Sequence, residues 1–268
     1  MVELPLDAFV MAYDAEGEGV PLVFIHQVGT DRRLWHHQRT FFFRGYRIIT
    51  VDVLGHGEVV WPPHELSIEQ AASRIQQLLK RLETGPVFMI GVSMGAAVAM
   101  RIALNSHAMI RGLVLVSPWV YASEHTRSLV DRLFRLAEAG DMASHTDLFL
   151  RYVLPTTYLE RHTAEVERLR AVAMQQKAKA VAYTWAACLA FDLAGKLGEI
   201  RAPSLLIAGL NDLFTPPYLA RAVADGLLEV ELEVWDGASH FPFLEDPIRF
   251  NRRLEMFIRR CLLRASTE

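Results

Sequence analysis

The stretch Val87-Phe88-Met89-Ile90-Gly91-Val92-Ser93-Met94-Gly95-Ala96-Ala97 constrains this chain more than any other. A short apolar run of this kind reads as a fully buried strand, and the Ala/Met/Leu-rich run from Ala96 to Leu104 reads as a helix. Between them stands Gly-x-Ser-x-Gly. A turn so tight strains its central residue, and Gly91 and Gly95, lacking Cβ atoms, let neighbouring backbones approach. The expected result is a Ser93 hydroxyl raised above a sheet, with a helix N-terminus aimed toward it. A serine held that way is a nucleophile in need of a base. An ordinary glycine-rich turn carries the same pattern, so the flanking strand and helix are what give the motif its weight.

Such an elbow requires an acid and then a histidine, in that order, on loops after later strands. Ser204-Leu205-Leu206-Ile207-Ala208, following Pro203, reads as a strand whose exit loop carries Asp212. The structural alternative for Asp212 is capping the helix expected near Pro216. The next strand, Val230 to Trp235, leads into Asp236-Gly237-Ala238-Ser239-His240. A lone loop histidine is commonly a solvated surface residue, but His240 fills the third slot in the required order. Asp236 and Asp246 are rival acids. Asp236 is too near His240 in sequence to reach around it, and Asp246 suits the cap of a final helix at Pro247.

These segments, together with Val51-Asp52-Val53-Leu54-Gly55-His56-Gly57 and Val23-Phe24-Ile25-His26-Gln27-Val28-Gly29, resemble the α/β-hydrolase superfamily over nearly the whole chain. The resemblance implies Ser93, Asp212 and His240 as nucleophile, acid and base. It implies the backbone N–H groups of Val28 and Met94 as the oxyanion donors. His26 and His56 fall at positions that shape loops in the family. Gln27 departs from the pattern, since the family usually has glycine there. A side chain at that position narrows the loop's backbone choices and puts an amide beside the site. The run His26-Gln27-Val28-Gly29-Thr30-Asp31, with Leu34-Trp35 and Gln38, is similar to 3-oxoadipate enol-lactonases and the related small carboxylesterases. That likeness implies cleavage of a carboxylic ester through an acyl-enzyme. Lactone hydrolysis is one alternative, and a non-hydrolytic small-molecule receptor or signalling role is another.

Strand patterns at Val10–Ala12, Pro21–Ile25, Tyr46–Val51, Val87–Ile90, Gly112–Val116, Ser204–Ala208 and Val230–Trp235 alternate with helical ones, which predicts an α/β fold with a mostly parallel central sheet. The alternation stops between Ser117 and about Leu193, where helical periodicity takes over through Leu129–Leu136, Thr146–Tyr152 and Ala164–Leu189. The expected organisation is a core of residues 1–117 and 194–268 with a helical cap, residues 118–193, inserted in it. Such a cap would roof Ser93. Gln27, Trp119, Trp185 and Phe214 are the expected substrate contacts, with Tyr121, Phe134, Phe149 and Trp35 as further lining candidates. Core packing is the alternative for each aromatic.

Composition sets the remaining bounds. A net charge of −3 leaves no electrostatic footprint for nucleic acid. Arg252-Arg253 and Arg259-Arg260 read as the solvated face of the last helix. Cys188 and Cys261 imply no disulfide framework. No apolar run reaches the roughly 18 residues of a membrane span, and Met1–Asp7 lacks the basic-then-apolar pattern of a signal peptide. No His-Glu-x-x-His spacing suggests zinc. The expectation is a cytoplasmic monomer or homodimer that acts on a small ester or lactone without metal or cofactor.

Overall fold

A computed structural model of the chain describes residues 2–6, 9–59 and 66–265. Met1 and Asp7, which bound the N-terminal stretch read above, lie outside the described residues. Along the chain the strands are β1 (Val2–Leu6), β2 (Phe9–Glu16), β3 (Val20–Ile25), β4 (Tyr46–Val51), β5 (Val87–Val92), β6 (Ile110–Val116), β7 (Ser204–Gly209) and β8 (Val230–Trp235). They form one sheet in the order β1-β2-β4-β3-β5-β6-β7-β8. The β1–β2 and β2–β4 pairings are antiparallel, and all the others are parallel. This is an α/β-hydrolase architecture. Strands β3, β5 and β7 are apolar on both faces because both faces are covered.

The helices are α1 (His36–Phe42), α2 (Ile68–Arg81), α3 (Met94–Asn105), α4 (Glu124–Glu138), α5 (Met142–Val153), α6 (Thr156–Arg161), α7 (Thr163–Met174), α8 (Ala178–Ala190), α9 (Pro217–Gly226), α10 (Pro242–Glu245) and α11 (Pro247–Ala265). Helix α2 shows how local sequence sets them. The Ser67 side chain accepts from Gln70 N–H at its start, and Ile68, Ala71, Ala72, Ile75, Leu78 and Leu79 form one buried stripe. Helices α4 to α8 occupy the excursion between β6 and β7.

Three sequence expectations change. The first strand is longer than Val10–Ala12 and is preceded by β1, which pairs with it as a hairpin. The helical run Ala164–Leu189 is two helices, broken around Gln176, whose side chain bonds to Asp31 and to the Gly57 N–H far away in the sequence. The last helix is not simply solvated on its basic face. Arg253 donates to Glu231 at 2.7 Å and also to Glu233, and Arg260 pairs with Glu231, all on β8. Strand β8 is the sheet's edge, so its acidic side chains face α11 and draw these arginines in.

Candidate active site

Ser93 stands between β5 and α3 at φ 53°, ψ −115°, a backbone conformation that non-glycine residues rarely hold. The surrounding fold enforces it. Ser93 N–H donates to Val116 of β6 at 2.9 Å, while Ala96 and Ala97 N–H groups return to the Ser93 carbonyl. A Cβ on Gly91 would collide with the Gly95 carbonyl, and one on Gly95 with the Ile25 carbonyl of β3. Both glycines are therefore required by close backbone approach.

Asp212 lies beyond the end of β7 and His240 beyond β8. A Cβ on Gly209 would strike the carbonyls of Ala238 and Ser239, so the two loops pass in direct contact. Asp212 Oδ2 accepts from His240 Nδ1 at 2.7 Å. Its other oxygen accepts from the Phe214 and Thr215 N–H groups, each at 2.9 Å, and Thr215 Oγ1 donates to Oδ2 at 2.9 Å. Asp212 does not cap α9, whose N-cap is Pro216. An ionised carboxylate only accepts, so His240 Nδ1 carries the proton and Nε2 keeps a lone pair. That Nε2 has no partner among the described residues. Ser93, Asp212 and His240 are 4%, 2% and 0% exposed, so the Asp212–His240 hydrogen bond is well shielded from water.

The rival acids stand elsewhere. Asp236 is exposed in the turn after β8, and Asp246 accepts from Arg249 N–H at the start of α11. Two residues that the sequence reading missed hold the histidine loop. Ser117, at φ 48°, donates its hydroxyl to the His240 carbonyl at 2.8 Å. The Glu245 carboxylate accepts from the Ser239 and Phe241 N–H groups on either side of His240. Burial pushes Glu245 up to about 7, aided by the nearby Asp212 charge and against the pull of those N–H donors. Thr215, three residues beyond Asp212, was legible as a partner of a turn-forming Asp. Ser117 and Glu245 gave no local signal.

The loop after β3 carries Gln27 and Val28, and two buried histidines fix it. His26 Nδ1 donates to the Gln27 carbonyl at 2.7 Å while its Nε2 accepts from Val53 N–H at 2.8 Å. His56 Nε2 accepts from Gly29 N–H at 3.0 Å, and burial lowers its pKa to about 3. Both rings act as neutral struts. Beneath them Arg32 binds Asp14 at 3.2 Å, Glu58 at 2.7 Å and also Asp52. Gln27 is absent from the described non-glycine residues at positive φ, so this position does not need glycine. Its side chain is buried, and neither amide atom has a partner among the described residues. Val28 is buried in the same loop, and Met94 opens α3 beside Ser93.

Ser93, Trp119, Trp185 and Phe214 line one cavity, together with Ala122, Thr126, Val130, Cys188 and Leu189. It holds about 270 Å³ of empty space, at the small end for a ligand site. The slot is narrow and nearly all apolar. Gln27 does not line it. Phe214 meets His240 edge-on with ring centres 5.3 Å apart, and Phe149 packs on Phe214 and Trp185. Trp35 is instead a core residue against Phe24 and Phe243, and Tyr121 is exposed. The structure thus brings three of the four expected contacts together with Ser93, and it places Trp35 in the core and Tyr121 at the surface.

Away from this site, His36, His37 and Glu165 hold ligand-type atoms within 4.8 Å of one another. Arg168 donates to both His36 and Glu165. A guanidinium already supplies the positive charge there.

The Alpha/beta hydrolase family matches residues 22–253. This chain belongs to that family. Among relatives of this α/β hydrolase, "Putative carbamate hydrolase RutD" of Agrobacterium fabrum is 26% identical over 246 residues, covering 91% of this chain and 94% of that one. The structure of a hydrolase from Pseudomonas aeruginosa superposes with a TM-score of 0.89 at 27% identity, over 96% of this chain and 97% of that chain. The enol-lactonase of Burkholderia xenovorans superposes at 0.88 over 96% of this chain and 100% of its own. At 21% identity, that likeness speaks for the fold alone. No helix among the described residues is long and apolar enough to cross a membrane.

Proposed function

We propose that this α/β hydrolase cleaves a small carboxylic ester through an acyl-enzyme on Ser93. The observation that carries the reading is the 2.7 Å Asp212–His240 pair, which leaves the Nε2 lone pair free to take a proton. His240 takes the Ser93 hydroxyl proton as Oγ attacks the ester carbonyl carbon. The carbonyl oxygen becomes an oxyanion stabilised by the Val28 and Met94 N–H groups. Losing one donor in a hole of this type costs on the order of 3–4 kcal/mol in the barrier. The tetrahedral adduct collapses, and the alcohol leaves with the proton from His240. Water, activated by the same base, then frees the acid and restores Ser93. Helices α4 to α8 act as the cap, with Trp185 of α8 roofing Ser93 beside Trp119, which precedes α4, and Phe214, which follows β7 in the core.

The narrow apolar slot favours short acyl or alcohol groups. Turnover of p-nitrophenyl butyrate should exceed that of the decanoate and should vanish in Ser93→Ala with the fold intact. Turnover that survives in Ser93→Ala would sink the proposal. A carbamate is the second reading, favoured by the RutD relative. A carbamate carbonyl undergoes the same attack, and comparing a p-nitrophenyl carbamate with the acetate separates the two.

A further inference from the structure

Trp185 Nε1 of α8 donates to His145 Nε2 of α5 at 2.9 Å. An indole nitrogen only donates, so His145 Nε2 must keep its lone pair, and the neutral ring bears its proton on Nδ1. Burial lowers this histidine's pKa to about 4, which keeps the ring neutral near pH 7. His145 is 1% exposed, and Nδ1 has no partner among the described residues.

The ring is placed where such a donor is useful. Its Cε1 edge lies 3.7 Å from the point that a Cβ on Gly29 would occupy, so it faces the loop that carries Gln27 and Val28. Phe149 stacks beside it at 6.3 Å, and His145, not itself a lining residue, stands behind Trp185, a wall of the cavity that Ser93 lines. That cavity offers an apolar group a good fit but gives an oxygen atom few partners. A buried N–H without an acceptor is a cost to the free protein that a ligand oxygen removes.

We propose that His145 is a specificity residue whose Nδ1–H binds a second oxygen of the substrate, an ether, ring or keto oxygen near the scissile carbonyl, from the side opposite the sheet. The preferred substrates are short oxygenated esters and lactones, not plain alkyl esters. This rests on the ester-hydrolase reading of Ser93. The competing role is purely structural, with His145 serving only to pin α5 to α8 through Trp185.

Two substitutions separate these roles by geometry. In His145→Gln the amide oxygen reaches the Nε2 position and keeps a partner for Trp185 but removes the Nδ1 donor. In His145→Asn the amide nitrogen takes the Nδ1 position, and the bond to Trp185 is lost. Two ester pairs place an oxygen for a methylene on either side of the scissile bond: methyl methoxyacetate against methyl butyrate, and methoxyethyl acetate against butyl acetate. In at least one pair the wild type should favour the oxygen-bearing ester. His145→Gln should reduce that kcat/KM ratio by about tenfold, the size of one neutral hydrogen bond, with Tm nearly unchanged. His145→Asn should keep the ratio and lower Tm. A ratio unmoved by His145→Gln, or one that tracks Tm through both variants, overturns the proposal.

The Ser93→Ala protein carries the same comparison without turnover, read by quenching of tryptophan fluorescence. There the oxygen-bearing ester should bind more tightly, and His145→Gln should erase the difference. Equal binding overturns the role of His145. A wild type inactive on all four esters that still shows the binding preference overturns the hydrolase reading and leaves this one standing.

Discussion

Ser117 Oγ donates to the backbone carbonyl of His240 across 123 residues of sequence, at 2.8 Å, from a backbone held at φ 48°. The strained serine at the end of β6 thereby fixes the loop that carries His240, the proposed base. Its own N–H donates to Ile207 of β7 at 2.8 Å, so the strain is imposed by the sheet. Ser117→Ala should lower kcat by about tenfold and stability by about 1 kcal/mol, the worth of one hydrogen bond. Ser117→Gly loses the same bond while removing a steric cost of order 1 kcal/mol at that φ. It should therefore lower kcat as much but melt closer to wild type. Paired kcat and Tm measurements check both, and full activity in either variant would show that the clamp is idle.

Asp212→Asn should cut kcat by about 10⁴, because an amide no longer holds the imidazole in its productive tautomer. Asp236→Asn, at an exposed turn, should retain wild-type kcat. If the second change proved the more damaging, the acid would have been misassigned.

Glu245 gives stability a pH slope. Its folded pKa is raised from the ordinary glutamate value to about 7, chiefly by burial. The contribution is fully present below the unfolded pKa and is lost as pH rises through about 7, since the unfolded chain releases the proton first. The buried neutral His26, His56 and His145 tilt stability the other way below about pH 6.5, so the readout is the Tm difference between wild type and Glu245→Gln, which should fall between pH 5 and pH 7.5. Parallel curves for the two proteins would contradict the raised pKa.

Gln27→Met keeps the side-chain volume and removes two buried amide atoms that have no protein partner. It should raise stability by about 1 kcal/mol, the lower end of the cost of an unmet buried polar group. Thermal unfolding reads this directly, and a lower Tm would mean that the amide is satisfied in solution.

Much of this site could be read along the chain because its signals are local. The elbow around Ser93 needs only a strand, two glycines and a helix, all within one short stretch. Asp212 and His240 follow from chain order and from the strands that precede them. Strand β1 was missed because only its pairing with β2 makes it a strand. The break between α7 and α8 was invisible because Gln176 is bound by residues more than a hundred positions away. His145 and Ser117 escaped for the same reason. Each takes its meaning from one distant partner, Trp185 or His240, and neither stands in a motif. Trp35 misled because proximity to a functional loop in sequence says nothing about which side of the sheet an indole fills.

The parallel sheet carries a kinetic consequence. Val28, Ser93, Asp212 and His240 follow the ends of β3, β5, β7 and β8, and neighbouring strands there are joined only by crossovers. Long-range pairings of this kind form late, because chain closure must be met before any contact rewards it. Any fragment that holds all four must run from Val28 to His240, and a refolding intermediate that lacks β8 leaves the proposed base unplaced. Recovery of hydrolysis after dilution from denaturant should therefore lag behind recovery of helical signal and mark the final ordering of the β8 edge.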